Sequence, residues 1–296
     1  MPGAGTITET VCCRICGTSN VAAWATIRGK LHMRCRNCQL IWVHAETVDR
    51  DREAAAYRVD NNVFITNGNN NYYFDDSNLL SAESKLKWIM QYAPAGSRLL
   101  DAGANFGHFL KIAQRVYNVL GFDISPMAVA WSQKHLGVPN RVGSIYALDE
   151  DFSPAFDLIT CWDVIEHLQE PEEALRELHK ALKPEGYLFL STPDAGSVVA
   201  RLLGRRWHYL DPTQHLTLFN RSNLARLLKS TGYKVLGIRA VGHYYRVRYI
   251  VDRLTYLYKK RVVHPTRQEN VLVRFVLERR LKICLGDVMA IVARRV

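Results

Sequence analysis

The stretch Leu99-Leu-Asp-Ala-Gly-Ala-Asn-Phe-Gly107 is the most informative indication of fold class in this 296-residue chain. It leads from a short apolar strand into a turn with two glycines, and residues 106–116 then have the pattern of a helix. Glycines at positions 103 and 107 let the backbone approach a ligand closely, and a helix N-terminus favours negative charge. Such a turn alone fits a nicotinamide cofactor, or no ligand at all.

Residues near this turn narrow the choice of ligand. Asp123 ends the next predicted strand, about twenty residues downstream, where a carboxylate can bind two ribose hydroxyls. Asn105 stands in the middle of the turn, where phosphate-binding loops of dinucleotide enzymes usually keep a glycine. The acidic Asp101 beside it disfavours a pyrophosphate. Together they suit a ligand with an amino group, such as the methionyl part of S-adenosylmethionine.

Strand and helix patterns alternate along most of the chain, which predicts a mainly parallel sheet covered on both faces. We predict helices at 81–92, 106–116, 171–182 and 222–230, another starting at Pro126, and strands at 98–100, 119–123, 141–145, 157–162, 187–191, 234–241 and 287–293. The predicted fold class is α/β, with a doubly wound, mainly parallel seven-stranded sheet. A cofactor-binding domain spans 81–242, and 287–296 supplies the final strand.

Four segments, in order, resemble the class I S-adenosylmethionine-dependent methyltransferases. Residues 99–107 look like their first motif, 123–124 like the ribose acid and the adenine-packing residue, 156–168 like the fourth-strand motif, and 182–193 like the fifth strand with its preceding turn. The resemblance implies a Rossmann-like methyltransferase fold with an antiparallel last strand beside strand five, and S-adenosylmethionine as cofactor. The expected cofactor contacts are Asp101, Gly103, Asn105, Phe106, Gly107, Asp123, Ile124, Ser144 and Trp162.

One position departs from the family pattern. Ser144 follows strand three, where related enzymes often have an acid that contacts the adenine amine. Asp149 or Glu150 can supply that contact from the following loop.

Four cysteines near the N-terminus form two Cys-x2-Cys pairs. Cys13, Cys16, Cys35 and Cys38 have the spacing of a four-thiolate structural zinc site, with each pair on a tight turn. A disulfide framework is the alternative, but it does not suit a chain that starts without an export signal. Cys12 can replace Cys13. We predict a zinc ribbon over 1–45 and a linker or lid, rich in Asn, over 46–80.

The cysteine pairs add a second resemblance. Sugar C-methyltransferases of antibiotic pathways, and related bacterial methyltransferases, carry a similar zinc module before the catalytic domain, and their first motif often has an Asn like Asn105. Those enzymes are longer at the C-terminus, so the resemblance implies no particular substrate.

Catalytic candidates follow strand four. The resemblance to the sugar enzymes implies that His167 deprotonates the substrate as general base, with Glu166 orienting it or binding substrate. In the alternative, Glu166 caps local structure and His167 only shapes the pocket. A further alternative makes Asp163, Glu166, His167 and His215 ligands of a divalent metal, as in ubiquinone-pathway and small-RNA 3′-end O-methyltransferases with a related Glu-x-x-Glu-His pattern.

Charge is distributed unevenly between the two ends of the chain. Residues 201–296 hold 21 Lys+Arg against 5 Asp+Glu, within a net charge of +11 for the whole chain. This asymmetry predicts an anionic partner. The basic segment 243–286 has an apolar stripe at helical spacing, which predicts an amphipathic helical insert that closes the site or rests on an anionic membrane.

Three functions compete on these observations. The first is methylation of a small-molecule acceptor, a sugar or a phosphorylated or lipid-linked metabolite. The second is RNA methylation, with the ribbon and the basic C-terminal part holding phosphates, although no aromatic RNA-binding signature is present. The third is a non-enzymatic scaffold. We expect a cytoplasmic protein, in contact at most with the inner face of the membrane, because no apolar run reaches eighteen residues. The sequence leaves the oligomeric state open.

Overall fold

The computed structural model describes residues 11–44, 77–148, 152, 155–251 and 271–296. In chain order the strands are β1 (Val21–Ile27), β2 (Lys30–Cys35), β3 (Ile41–Val43), β4 (Arg98–Ala102), β5 (Asn118–Asp123), β6 (Asn140–Val142), β7 (Phe156–Trp162), β8 (Leu182–Pro193), β9 (Thr217–Leu218), β10 (Tyr233–Ala240), β11 (His243–Arg246), β12 (Arg280–Ile283) and β13 (Val288–Arg295). The helices are α1 (Ser77–Ile89), α2 (His108–Ala113), α3 (Pro126–Leu136), α4 (Pro171–Ala181), α5 (Val198–Leu203), α6 (Arg221–Ser230) and α7 (Val271–Leu277).

Seven strands form the central sheet in the order β10-β13-β8-β7-β4-β5-β6. The strands from β4 to β8 pair in parallel, whereas β13 lies antiparallel between β8 and β10. This arrangement confirms the predicted seven-stranded, mainly parallel sheet and its antiparallel last strand beside the fifth. The inner strands are almost fully buried, as expected for a sheet covered by helices on both faces.

The order of the strands indicates where on the sheet a ligand can bind. In the parallel register Asp101 of β4 is opposite Gly121 of β5 and Thr160 of β7. Because parallel strands end at the same edge, the turns after β4, β5 and β7 lie side by side, and ligands bind at that edge in open α/β sheets.

The edges of several elements differ from the prediction. Helix α1 begins at Ser77, and most of the predicted linker or lid, residues 46–76, lies outside the described residues. The third strand, β6, ends at Val142, after which Ser144 makes only an isolated bridge with Ala147. Strand β8 begins at Leu182, directly after α4, because that residue already pairs with Phe156 of β7.

The N-terminal strands form a second sheet that includes a strand from the larger domain. Strands β1, β2 and β3 make an antiparallel meander, and β3 pairs with β9. Buried residues of this part, among them Cys35, Leu40 and Trp42, belong to the same apolar cluster as Phe219 of the larger domain. The two sheets therefore share one core.

The basic segment 243–286 is only partly helical. Near its two ends, strands β11 and β12 pair in antiparallel fashion, with His243 opposite Ile283. The prediction of a helical insert is therefore wrong for these residues. Aromatic residues such as Tyr244 and Tyr245 fit a pleated, half-buried surface, which favours the strand here. Residues 247–251 and α7 are helical, and 252–270 lie outside the described residues. Among the residues described, no helix combines the length and apolar character needed to cross a bilayer.

Candidate active site

The turn after β4 has the backbone conformation that its glycines predict. Gly103, Asn105 and Gly107 all have positive φ, of 76°, 48° and 74°. The N–H groups of Gly103 and Ala104 both donate to the carbonyl of Phe122, at 2.9 Å. A Cβ at position 103 would lie 2.5 Å from Cγ2 of Val164, in the segment after β7. Another part of the protein, Val164, therefore approaches Gly103 closely.

Asp123 is fixed at the end of β5 by backbone donors. Its two carboxylate oxygens accept the N–H of Asn105, at 2.8 Å, and of Ser125, at 2.9 Å. Burial raises the pKa of Asp123, and these N–H groups oppose that effect because they favour the charged form. Each oxygen keeps a second lone pair, so the carboxylate can accept ribose hydroxyls as predicted.

Asp101 is buried at the end of β4. Its carboxylate accepts a hydrogen bond from Oγ1 of Thr160, at 2.6 Å. Burial raises the pKa of Asp101 to about 7, although the bond from Thr160 and the charge of Lys85 act to lower it. A carboxylate in such an environment attracts a cationic amino group.

Two predicted cofactor contacts carry buried polar atoms without a hydrogen-bond partner among the described residues. They are Oδ1 of Asn105 and Nε1 of Trp162. Buried polar groups are normally paired, so both atoms fit a ligand between the turns after β4 and β7. The Trp162 ring packs edge-on against Phe109 at 5.5 Å, and Nζ of Lys85 lies 4.6 Å from its centre.

Three other predicted contacts have different surroundings. Phe106 is buried and packs edge-on against Trp131, at 5.3 Å, so its side chain serves the core. Ile124 is half-buried directly after Asp123. Ser144 is half-buried and accepts the N–H of Tyr146, at 3.3 Å. Asp149 and Glu150 lie outside the described residues.

The catalytic candidates lie on a single 3-10 turn, Ile165–His167, after β7. Glu166 is 1% exposed and accepts a hydrogen bond from Oγ1 of Thr192, at 2.9 Å. Burial, followed by the charge of Asp163, raises the pKa of Glu166 to about 7. Its Oε1 lies 4.0 Å from Nε2 of His167.

Backbone carbonyls orient two histidines in this cluster. Nδ1 of His167 lies 2.7 Å from the carbonyl of Gln214, and Nδ1 of His215 lies 2.6 Å from that of Tyr209. A carbonyl only accepts hydrogen bonds, so each Nδ1 carries the proton and each Nε2 the lone pair. Burial lowers the pKa of both histidines, which favours their neutral, basic form at neutral pH.

Three of the four predicted metal ligands come together. The candidate ligand atoms of Glu166, His167 and His215 lie within 4.8 Å of one another. Asp163 is not in this group, because its carboxylate accepts a hydrogen bond from Ser191 at 2.8 Å and lies 3.8 Å from Nζ of Lys85. Burial acts to raise the pKa of Asp163, but Lys85, His243, the hydrogen bond from Ser191 and His167 together outweigh it, and the pKa is lowered.

Sequence reasoning missed several residues around this cluster. Lys85 lies on α1 with its side chain only 17% exposed, and the one available signal was a cation within an apolar helix face. Thr192 lay in a recognised motif but had no assigned role. Gln214 contributes only its carbonyl oxygen, for which a sequence carries no signal.

The four predicted zinc ligands also come together. Cys13 and Cys38 have their sulfurs 3.5 Å apart, as do Cys16 and Cys35, and all four lie within 4.8 Å of one another. A tetrahedral zinc site with Zn–S bonds of about 2.3 Å places its sulfurs about 3.8 Å apart. The cysteines are free thiols, against the disulfide alternative, and Cys12 is exposed.

Two equivalent turns produce this arrangement. The N–H of Gly17 donates to the carbonyl of Cys13, and that of Gln39 to the carbonyl of Cys35, at 2.9 and 3.0 Å. Both residues have positive φ, of 69° and 63°. The chain thus folds back after each cysteine pair, and the donor set fits a closed structural zinc site.

Comparison with known proteins agrees with this geometry. A family model described as a methyltransferase domain matches residues 79–237. A ubiquinone biosynthesis O-methyltransferase of Pseudomonas aeruginosa (strain UCBPP-PA14) is 36% identical over 115 residues, which cover 36% of this chain and 50% of the relative. This chain therefore spans about half the length of the curated relatives that it matches.

Solved structures show the same fold. Magnesium protoporphyrin IX methyltransferase of Synechocystis PCC 6803, with bound SAH, is 16% identical, and the match covers 84% of this chain and all of that one, with a TM-score of 0.52. A SAM-dependent methyltransferase of Archaeoglobus fulgidus is 19% identical, with 76% and 100% covered and a TM-score of 0.50. Since the family model matches more than half of the chain, this protein belongs to the class I S-adenosylmethionine-dependent methyltransferases.

Proposed function

We propose that this enzyme methylates a hydroxyl oxygen of a small, anionic acceptor, with His167 as general base. The observation that carries the proposal is the orientation of His167, whose Nδ1 donates to the Gln214 carbonyl so that Nε2 is the basic nitrogen. The ring lies after β7, at the sheet edge that also holds the predicted cofactor contacts. The relatives named as O-methyltransferases support oxygen as the acceptor atom.

The bound cofactor supplies an electrophilic sulfonium methyl group. Methyl transfer from bound S-adenosylmethionine to the acceptor oxygen would give a methyl ether and S-adenosylhomocysteine, and Nε2 of His167 would accept the hydroxyl proton. Glu166, with Oε1 4.0 Å from Nε2, then stabilises the imidazolium. Burial lowers the pKa of His167, so that the base is neutral before the proton moves.

The acceptor class is inferred from charge. Residues 201–296 carry 21 basic against 5 acidic residues, which favours a substrate with a phosphate or another anionic group. We propose a sugar or a phosphorylated or lipid-linked metabolite.

A metal-assisted variant of the same reaction has a specific observation in its favour. Glu166, His167 and His215 offer one carboxylate and two Nε2 atoms within 4.8 Å, and both histidines donate their other N–H to a carbonyl, as metal-bound histidines usually do. A divalent cation there would lower the pKa of the acceptor hydroxyl. Full activity after chelator treatment, with the metal content of the cysteine site unchanged, would remove this variant.

We also propose that Cys13, Cys16, Cys35 and Cys38 bind structural zinc. Elemental analysis of the purified protein should give one zinc per chain, and a Cys38→Ser variant should lose it. A protein that is fully folded and metal-free would contradict the proposal.

Labelled cofactor tests the reaction. The protein is incubated with a small-molecule extract and methyl-labelled S-adenosylmethionine, and products are sought by mass spectrometry. We expect an O-methylated, anionic product with wild type, and a loss of about a hundredfold or more with His167→Gln. Product formed at the wild-type rate by His167→Gln would exclude this residue as base, and methylated RNA as the main product would establish the alternative substrate.

RNA is the weaker proposal because arginines of the ribbon are engaged within the chain. Arg14 contacts Gln169 and Glu170, and Arg28 pairs with Asp211 at 2.7 Å. These side chains are therefore less available to phosphates.

For the segment 243–286 we propose contact with an anionic membrane surface. Helix α7 exposes Val273, Phe275 and Val276 beside Arg274, a combination that suits a lipid interface. Flotation with vesicles that contain phosphatidylglycerol should recover the wild type, and Phe275→Ser should reduce recovery. Equal recovery with neutral vesicles, or none at all, would contradict the proposal.

A further inference from the structure

The segment 214–218 lies between the N-terminal ribbon (residues 11–44) and the catalytic turn. On the ribbon side, its strand β9 pairs with β3, with Leu218 opposite Ile41 and Thr217 opposite Trp42. The N–H of Val43 extends this pairing by donating to the carbonyl of Leu216, at 2.9 Å. The ribbon therefore holds this segment by backbone hydrogen bonds.

On its other side, the same segment holds the catalytic residues. The N–H of Leu216 donates to the carbonyl of Glu166, at 2.8 Å, and the carbonyl of Gln214 accepts the Nδ1 proton of His167, at 2.7 Å. His215 belongs to the segment itself. The backbone of a single residue, Leu216, thus bonds to the ribbon through its carbonyl and to the catalytic turn through its N–H.

Two arginines of the ribbon reach the same region. Arg14 lies between the two cysteines of the first pair, and its guanidinium donates to the carbonyl of Gln169, at 2.5 Å, two residues after His167. Arg28 pairs with Asp211 at 2.7 Å. The carbonyl of Asp211 in turn accepts the N–H groups of Gln214 and His215, at 3.1 and 2.8 Å.

The cysteine turns are anchored to the same region of the larger domain. The carbonyl of Cys38 accepts hydrogen bonds from the side chains of Asn220 and Asn223, at 2.9 and 3.3 Å. These residues form the capping box at the N-terminus of α6, which begins three residues after β9. A displacement of the ribbon would therefore be transmitted to β9 and to the catalytic turn.

We infer that the N-terminal ribbon is a positioning element of the active site, which holds His167 and His215 in their catalytic orientation through the backbone N–H and carbonyl of Leu216 and through the side chains of Arg14 and Arg28. The inference rests on the proposed role of His167. The ribbon is then a part of the catalytic unit and not only an appended binding module. The predicted cofactor site depends on it less, because Asp123 is fixed by the N–H groups of Asn105 and Ser125 instead.

Two matched pairs of variants test the inference. Val43→Pro removes the N–H that bonds to Leu216, whereas Val43→Ala shortens the side chain and keeps that N–H. Arg14→Met removes the contact with Gln169, whereas Arg36→Met changes the exposed arginine at the equivalent position of the second cysteine pair. Each full-length protein is examined for binding of S-adenosylhomocysteine by calorimetry, for the histidine tautomers by ¹⁵N NMR, and for kcat as a function of pH.

We expect Val43→Pro to lower kcat about tenfold or more, and Arg14→Met about threefold, with the Kd of S-adenosylhomocysteine changed less than about twofold. The Nδ1–H signal of His167 should lose population to the other tautomer, and the acid limb of the pH profile should shift. Val43→Ala and Arg36→Met should match wild type in tautomer and in pH profile.

The tautomer measurement needs no acceptor, so it separates this inference from the proposed function. A wild type that binds the cofactor product but never transfers a methyl group would refute the proposed function, while the tautomer shift would still support positioning. An unchanged His167 tautomer in both Val43→Pro and Arg14→Met would overturn the inference. So would a loss of S-adenosylhomocysteine binding as large as the loss of kcat, because the ribbon would then support only the general fold.

Discussion

Gly103→Ala is the substitution whose cost follows most directly from the structure. At φ 76° an alanine is in the left-handed region, which costs roughly 1–2 kcal/mol. Its Cβ would also lie 2.5 Å from Cγ2 and 3.3 Å from Cγ1 of Val164, well inside the usual contact distance of about 3.5–4 Å. Overpacking of this kind costs about 1–3 kcal/mol, so we expect a total loss of about 2–5 kcal/mol in the free energy of unfolding.

Gly96→Ala is the matched control. Gly96 has a similar φ, of 84°, but a Cβ there would meet nothing within 4 Å. This variant isolates the backbone contribution, so it should lose only about 1–2 kcal/mol. The clash itself is isolated by a double-mutant cycle, in which Val164→Ala should make Gly103→Ala less costly by about 1–3 kcal/mol.

Affinity for S-adenosylhomocysteine should distinguish the same two variants as stability does. The carbonyl of Val164 accepts the N–H of His167, at 2.9 Å, so we expect a displaced Val164 to move the turn Ile165–His167. Urea unfolding, monitored by tryptophan fluorescence, gives the stabilities, and calorimetry gives the affinity for S-adenosylhomocysteine, which should fall in Gly103→Ala only. If Gly103→Ala is no less stable than Gly96→Ala, or if Val164→Ala brings no relief, the packing argument is wrong.

Three further changes have defined outcomes. Asp123→Ala removes the acceptor for the predicted ribose hydroxyls and for the N–H groups of Asn105 and Ser125. Calorimetry should show that this variant binds S-adenosylhomocysteine about a hundredfold more weakly. An unchanged Kd would refute the predicted ribose contact. Burial raises the pKa of Asp101 to about 7, so its carboxylate becomes neutral as pH falls through 7. The Kd of S-adenosylhomocysteine should therefore be about tenfold higher at pH 6 than at pH 8. Asp101→Asn should show no such pH dependence. The ordinary pKa of histidine is about 6.5, and burial lowers the pKa of His167. Protonation of His167 should therefore abolish kcat only at a pH below that ordinary value. A loss of kcat at higher pH would point to another group.

The sequence predicted the central sheet almost element by element because the relevant signals are local. Apolar runs of strand length, helix caps and turn residues reflect the state of a short piece of backbone, and alternation of strand and helix restricts the sheet to a parallel type. The positions of Asp101, Asp123 and Glu166-His167 followed, since the two aspartates lie at the ends of strands and the Glu-His pair lies in the turn after one. The prediction for the ends of the basic segment was wrong because its helical stripe was extended over β11 and β12, where pairing between residues 34 to 40 positions apart overrides the local pattern.

The cysteine spacing, the glycine turn after β4 and the candidate catalytic pair Glu166-His167 were thus readable from residue order alone, since each is a short pattern with its own chemistry. The distant groups that complete these sites became known from the folded structure. It placed Val164 against Gly103, the Gln214 carbonyl against His167, 47 residues away, and β3 against β9. Such contacts depend on how the folded chain packs. Every residue has a backbone carbonyl, and van der Waals contacts form between many residue types, so the sequence does not show where either will be used.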